Sequence, residues 1–169
     1  QKSNASADPT QQMPPAHLLM QIANDPNIEN FKASFPSVRN ATLTYASAAG
    51  INFGTCENIL DFGCGVGRFL FAMKDVISPS QKLYGCDINE ECANWCSTNI
   101  KFAKVNKAPS QPPLIYADGM FDYINAVSVF THMSLETQFQ WAWEIHRILR
   151  PGGVFAVTTN GLSAFPFLL

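Results

Sequence analysis

Seven residues near the middle of the chain, Asp61-Phe62-Gly63-Cys64-Gly65-Val66-Gly67, join a carboxylate to glycines at alternate positions. Glycines spaced in this way let a backbone turn sharply and let a ligand approach the main chain with no Cβ in between. A helix starting at Arg68 would aim its unpaired N–H groups at the same place. A second carboxylate, Asp87, comes 20 residues after Gly67. At that distance the next strand of an α/β unit returns beside the turn, and an acid there accepts hydrogen bonds from both hydroxyls of a ribose. The dinucleotide pattern GxGxxG is not met, because its sixth position falls on Arg68 counted from Gly63 and on Leu70 counted from Gly65. No Gly-Lys-Ser/Thr follows, which excludes a P-loop.

These residues need elements that bring them to one edge. The run 58–62 reads as a short buried strand, 68–77 as an apolar helix, and 82–86 as a second strand ending in Asp87. Residues 90–100 read as a helix, 102–105 as a third strand and 109–113 as a proline-rich loop. The β-branched and aromatic run 121–130 suits a central strand. Residues 134–149 place Leu135, Phe139, Ala142, Ile145 and Leu149 on one helical face, with Pro151-Gly152-Gly153 ending that helix ahead of a strand at 154–159. Upstream, 1–15 read as a tail, 16–23 as a short helix, Asp25-Pro26 as an N-cap and first helical residue, and 36–49 as a helix stopped by Gly50. Trp141 and Trp143 are two apart and cannot share a helix face. Strands alternating with helices or long crossovers predict an open, doubly wound α/β sheet, parallel and covered on both faces. His132, just beyond the fourth strand, is the only histidine placed at the carboxyl end of that sheet, where such folds bind ligands.

Four segments in this order, Ile59 through Arg68, then Tyr84-Gly85-Cys86-Asp87, then Phe121-Asp122-Tyr123-Ile124 running on to His132, then Ile148-Leu149-Arg150-Pro151-Gly152-Gly153, resemble a class I S-adenosylmethionine-dependent methyltransferase over roughly residues 55–160. The resemblance implies a Rossmann-like, mostly parallel sheet and S-adenosylmethionine as cofactor. It places Asp61, Gly63, Cys64, Gly65 and Gly67 around the methionine end and Asp87 with Ile88 at the ribose. Asn106, at the end of the third strand, would face the adenine, and Phe130 would border the methionine pocket. For Arg68 two readings stand, a contact to the cofactor carboxylate or a solvated first-turn residue. For His132 they are a general base, a residue lining the acceptor pocket, or one making a structural hydrogen bond. Asp61 can equally serve by shaping the loop, and Cys64 reads as a small neutral filler. The implied domains are a tail at 1–15, an N-terminal helical segment at 16–54 and the cofactor-binding domain at 55–169. Because the family continues beyond the fifth strand with a helix and an antiparallel hairpin, the C-terminal edge is expected to be truncated.

Composition narrows the partners. The 169 residues suffice for one core, and 47% hydrophobic content with 14% charged residues excludes disorder. A net charge of −2 gives no footprint for a polyanion, so nucleic acid is not expected and a small-molecule acceptor is favoured, with protein open. No apolar run approaches a spanning helix, and a soluble, cytoplasmic protein is expected. Five cysteines, an odd number, fit a reducing compartment; Cys92 and Cys96 lie one turn apart with no second pair, so no metal site is expected. The function expected is methyl transfer to an oxygen, nitrogen or carbon nucleophile. The alternatives are an inactive cofactor-binding regulatory or scaffold module, and a nicotinamide oxidoreductase, which the missing GxGxxG disfavours.

Overall fold

The computed structural model describes residues 12–160. Of the expected tail at 1–15, residues 1–11 lie outside the described residues, as does the stretch 162–169, while Pro14 is buried and Met13 packs against the core. Five strands, β1 (Asn58–Phe62), β2 (Lys82–Asp87), β3 (Ala103–Lys107), β4 (Phe121–Ala126) and β5 (Leu149–Val157), form one parallel sheet in the order β3-β2-β1-β4-β5. The order reverses between β1 and β4, so the two chains leaving them diverge and open a crevice at their carboxyl ends.

The strands read as predicted because β1, β2 and β4 are buried along nearly their whole length, as a sheet covered on both faces requires. On one face pack α1 (Ala16–Ala23), α2 (Ile28–Ala33), α3 (Phe35–Ala48), α4 (Arg68–Met73) and α5 (Glu90–Asn99), contributing Leu18, Phe31, Ala46, Phe69 and Cys92 to a core with Ile59 and Tyr123. The other face is covered by α6 (Leu135–Ile148) and by residues 108–120, with Leu60, Ile124, Trp141 and Ile145 at its centre. Trp141 is buried and Trp143 is 74% exposed, the split their spacing demands.

Several boundaries differ from expectation for local reasons. β4 ends at Ala126 instead of running to 130, because Ser128 takes a left-handed φ of 59° that no strand continues through. The chain then makes a single 3-10 turn at Phe130–His132. α4 stops at Met73 rather than 77. α6 passes directly into β5, so Pro151-Gly152-Gly153 does not end the helix; it forms an irregularity inside the strand, with Gly152 at φ 78°. Asn27, not Asp25, caps α2: its side chain accepts from the N–H groups of Glu29 and Asn30, while the Asp25 carboxylate accepts from the Asn27 N–H at 2.9 Å. The third strand, Ala103–Lys107, starts one residue and ends two residues later than predicted.

The stretch 108–120 has no helix of its own, yet it is held firmly. The buried Glu144 of α6 accepts the Leu114 N–H at 2.7 Å and pairs with Arg147 at 2.6 Å. Arg147 in turn donates to the carbonyls of Tyr116 (3.0 Å) and Leu114 (3.3 Å) and to the Asp118 carboxylate. The guanidinium keeps the Glu144 carboxyl below its usual range. One helical turn thus supplies the partners that a crossover helix would otherwise find within itself. Glu144→Ala leaves the buried Leu114 N–H unmatched and removes two of the five bonds of Arg147, and is expected to cost about 2–3 kcal/mol of unfolding free energy. Urea denaturation measures it; a loss below about 0.5 kcal/mol would show that the clamp contributes nothing.

Candidate functional site

The turn after β1 is tied to β2 by its backbone. The Cys86 carbonyl accepts the N–H groups of both Gly63 (2.8 Å) and Cys64 (3.0 Å), and the Asp87 carboxylate accepts the Gly65 N–H at 2.6 Å and the Asn89 N–H at 2.8 Å. Asp87 therefore sits at the glycine turn, as the sequence spacing required. Each of its oxygens accepts one backbone bond and keeps capacity for another. Gly63, Gly65 and Gly67 have φ of 75°, 51° and 83°, a region costly for any residue with a Cβ.

Two cavities open at this end of the sheet. The first, about 500 Å³, is lined by Gly63, Gly65, Asp87, Ile88, Ala108 and His132, among others. The second, about 420 Å³, is lined by Asp61, Cys64, Arg68, Tyr123, Asn125 and Thr158, among others. They share Ile22, Gly63, Gly65, Val127 and Ser128. Ile22 of α1 lies over the turn so closely that a methyl group on Gly65 would be 2.8 Å from its Cγ2. A methyl group on Gly63 would collide with Val129 from the other wall.

Among the residues singled out from the sequence, Asp61, Gly63, Cys64, Gly65, Arg68, Asp87, Ile88 and His132 line one or both cavities. Three do not. Asn106 is turned away to hydrogen-bond with Tyr116, and Ala108 and Pro109 face the first cavity in its place. Phe130 is buried against Phe62 and Phe155, because the early end of β4 folds it inward. Gly67 is pressed against Ile100 and caps α4. Sequence reasoning missed Ile22, Tyr123, Asn125, Ser128 and Thr158. Of these only Ser128 shows a local peculiarity, its positive φ, with its N–H held by Thr158 Oγ1 at 2.7 Å.

Electrostatically, Asp61 is the unusual group. It is buried between two strands, and burial raises its carboxyl to about 7, opposed by the hydrogen bond from Asn125 Nδ2 (2.7 Å) and assisted by the charge of Asp87. Arg68, across the same cavity, stands over the Phe31 ring. The Cys64 thiol is pushed up by its hydrogen bond with Cys96 and by burial, and burial pushes up Cys86, so both are neutral fillers of the turn. No three metal-ligating side chains cluster among the described residues. Exposed His132 presents a ring with no hydrogen bond to any described residue at the rim of the first cavity. The site as a whole offers bare backbone with a hydroxyl-accepting acid in one cavity, and an acid with a base in the other. That set suits an elongated ligand carrying a sugar at one end and a zwitterion at the other.

Comparison with known proteins agrees with this chemistry. A family model described as a methyltransferase domain matches residues 60–157. The Rickettsia prowazekii protein RP028 is 32% identical over 111 residues, which make up 63% of this chain and 44% of that protein, so the chain spans less than half of that relative. The PH0226 protein of Pyrococcus horikoshii superposes with a TM-score of 0.66 at 21% identity, covering 84% of this chain and 64% of the other. PKMT2 of Rickettsia typhi, solved in complex with AdoHcy (S-adenosylhomocysteine), superposes with a TM-score of 0.55 at 25% identity, covering 67% of this chain and 23% of that one.

Two outcomes test the site. Gly65→Ala is expected to lose about 2–3 kcal/mol, and adding Ile22→Ala to recover all but about 1 kcal/mol, the share owed to the left-handed φ. Strictly additive losses on denaturation would mean that Ile22 does not press on the turn. For Asp61, the folded protein holds its proton to about pH 7 while the unfolded chain releases it near 3.8, so the folded form binds more protons in between. Stability contributed by this group therefore falls as pH rises from about 4 to about 7, by up to about 4 kcal/mol. Asp61→Asn should remove that slope, and parallel pH–stability curves for the two proteins would refute the assignment.

Proposed function

Because the chain belongs to the methyltransferase-domain family and takes S-adenosylmethionine as its cofactor, we propose that it transfers the methyl group to an oxygen, nitrogen or carbon nucleophile of a small-molecule acceptor. The observation that carries this reading is the Asp87–Gly65 contact at 2.6 Å, which puts a hydroxyl-accepting carboxylate and the bare glycine turn on one wall. In this reading Asp87 accepts the ribose hydroxyls, Ile88, Ala108 and Pro109 cover the base, and Gly63 and Gly65 let the chain approach closely. Asp61 and Arg68 face the ammonium and carboxylate of the methionine end. When bound, the cofactor supplies an electrophilic methyl on a positively charged sulfur, and catalysis then consists chiefly of holding donor and nucleophile in line.

The acceptor enters the part of the first cavity bounded by Gln21, Ser128, His132, Met133 and Trp141. None of the described residues lining this cavity is Lys or Arg, so nothing there neutralises a phosphate, which favours an uncharged acceptor and disfavours nucleic acid. His132 is the group placed to take a proton from the nucleophile on a ring nitrogen. Val129, Met133 and Trp141 supply the apolar part of the surrounding wall.

Calorimetric titration with S-adenosylhomocysteine should show binding that Asp87→Ala weakens about a hundredfold, the value of two charge-assisted hydrogen bonds. With a panel of uncharged acceptors, His132→Ala should lower turnover about a hundredfold or more at saturating cofactor. Absence of binding by the unaltered protein would refute the reading. Binding without turnover on any acceptor would point to a regulatory cofactor-binding module instead.

A further inference from the structure

The face of α6 that residue spacing marks as apolar is only partly covered. Ile145 is buried, but Leu135 and Phe139 are 69% and 62% exposed, and Ala142 is exposed as well. Trp143 stands beside them at 74%. Leu135, Phe139 and Trp143 follow one another at four-residue steps, so they form a slowly winding stripe about 12 Å long, on the side of the helix away from buried Trp141. A leucine and two aromatic rings in a row make an apolar patch on the order of a few hundred Å², about as much as a monomer leaves to water. Residues 108–120 are fastened to the flank that carries Glu144 and leave this stripe open.

The chain returns to the head of the stripe after β5. The Asn160 side chain donates to the Thr131 carbonyl at 3.3 Å, and Ser134, a few residues on from Thr131, caps α6 just before Leu135. The chain beyond Asn160 therefore starts where the stripe starts. It reads Leu162-Ser163-Ala164-Phe165-Pro166-Phe167-Leu168-Leu169, without a charged side chain. At about 3.3 Å per extended residue, this length is more than enough to run from Leu135 past Trp143.

We propose that residues 162–169 lie along α6 and cover the stripe of Leu135, Phe139 and Trp143 with Phe165, Phe167 and Leu168. Apolar side chains without charge gain by leaving water, and the nearest uncovered apolar surface is this one. The short tether from Asn160 holds the segment near the stripe at an effective concentration in the millimolar range, which favours it over a second copy of the chain. The inference is independent of what the two cavities bind.

Trp143→p-benzoylphenylalanine puts a photo-crosslinker on the stripe, at a position exposed enough to leave the fold intact. Irradiation of the full chain should give a crosslink within one molecule that maps to residues 162–169 by mass spectrometry. Combining it with Phe165→Ser, Phe167→Ser and Leu168→Ser should abolish that product. In the chain that keeps Trp143, the same three serines should shift the emission of Trp143 to longer wavelength and raise its quenching by acrylamide, read as the difference from Trp143→Phe. A crosslink between two molecules would overturn the inference in favour of self-association. A crosslink that avoids 162–169, no crosslink at all, or unchanged Trp143 emission and quenching would each overturn it as well.

Discussion

A single hydrogen bond, from the Gly65 N–H to the Asp87 carboxylate, fixes the relation between the two strands on which the crevice depends. The parallel register places Phe62 opposite Cys86, so the chain leaving β1 meets the Cys86 carbonyl and then the Asp87 side chain in succession. With three backbone N–H groups satisfied there, the turn is held without any side chain of its own. The same contact directs α4, because Gly67 leaves the turn as the helix cap and sets Arg68 at the mouth of the second cavity. Losing the carboxylate would free the turn.

The buried pair Asp61 and Asn125 bridges the strands at which the sheet order reverses. Burying a carboxylate beside a neutral amide is unfavourable, and its raised proton affinity is the measure of that. A fold selected for stability alone would place an apolar residue at such a position. Ser128, held in a left-handed conformation by Thr158 at the top of the adjacent strand, is a second departure from the easiest structure. Both departures lie on the walls of the second cavity. Unfavourable local choices concentrated in one place are what a ligand site looks like before its ligand is considered.

The glycine turn and its neighbour Asp87 were legible because their signals are local. Glycine spacing encodes a backbone turn, and buried apolar runs encode β1, β2 and β4 irrespective of what packs on them. Asn106 was misplaced by the parity of a weak edge strand, where a one-residue change in reading exchanges the two faces. Phe130 was misplaced because nothing in Val127-Ser128-Val129 announces a left-handed serine within a β-rich run. Glu144 and Arg147 look in sequence like an ordinary surface pair one turn apart. Their role in holding residues 108–120 appears only when that stretch is seen to lack internal hydrogen bonds. Ile22 carried no signal, because helix periodicity tells which face is buried and not which loop it is buried against.

The two sides of the crevice are held unequally. Residues 108–118 are fastened by the buried Glu144 carboxylate and by three donations from Arg147, to Leu114, Tyr116 and Asp118, so displacing them breaks several bonds at once. α1, on the opposite side, buries only Leu18 and Leu19 of its eight residues. Its link to α5 is a hydrogen bond between exposed side chains, His17 and Glu91, of the kind that contributes little in water. Ile22, 43% exposed, reaches from this lightly held helix across the glycine turn to the wall shared by both cavities. A molecule long enough to occupy both cavities must pass under that side chain. Local opening follows the weakest set of contacts, so the wall that yields is α1, while the clamp at 108–118 keeps the far wall of the first cavity in place.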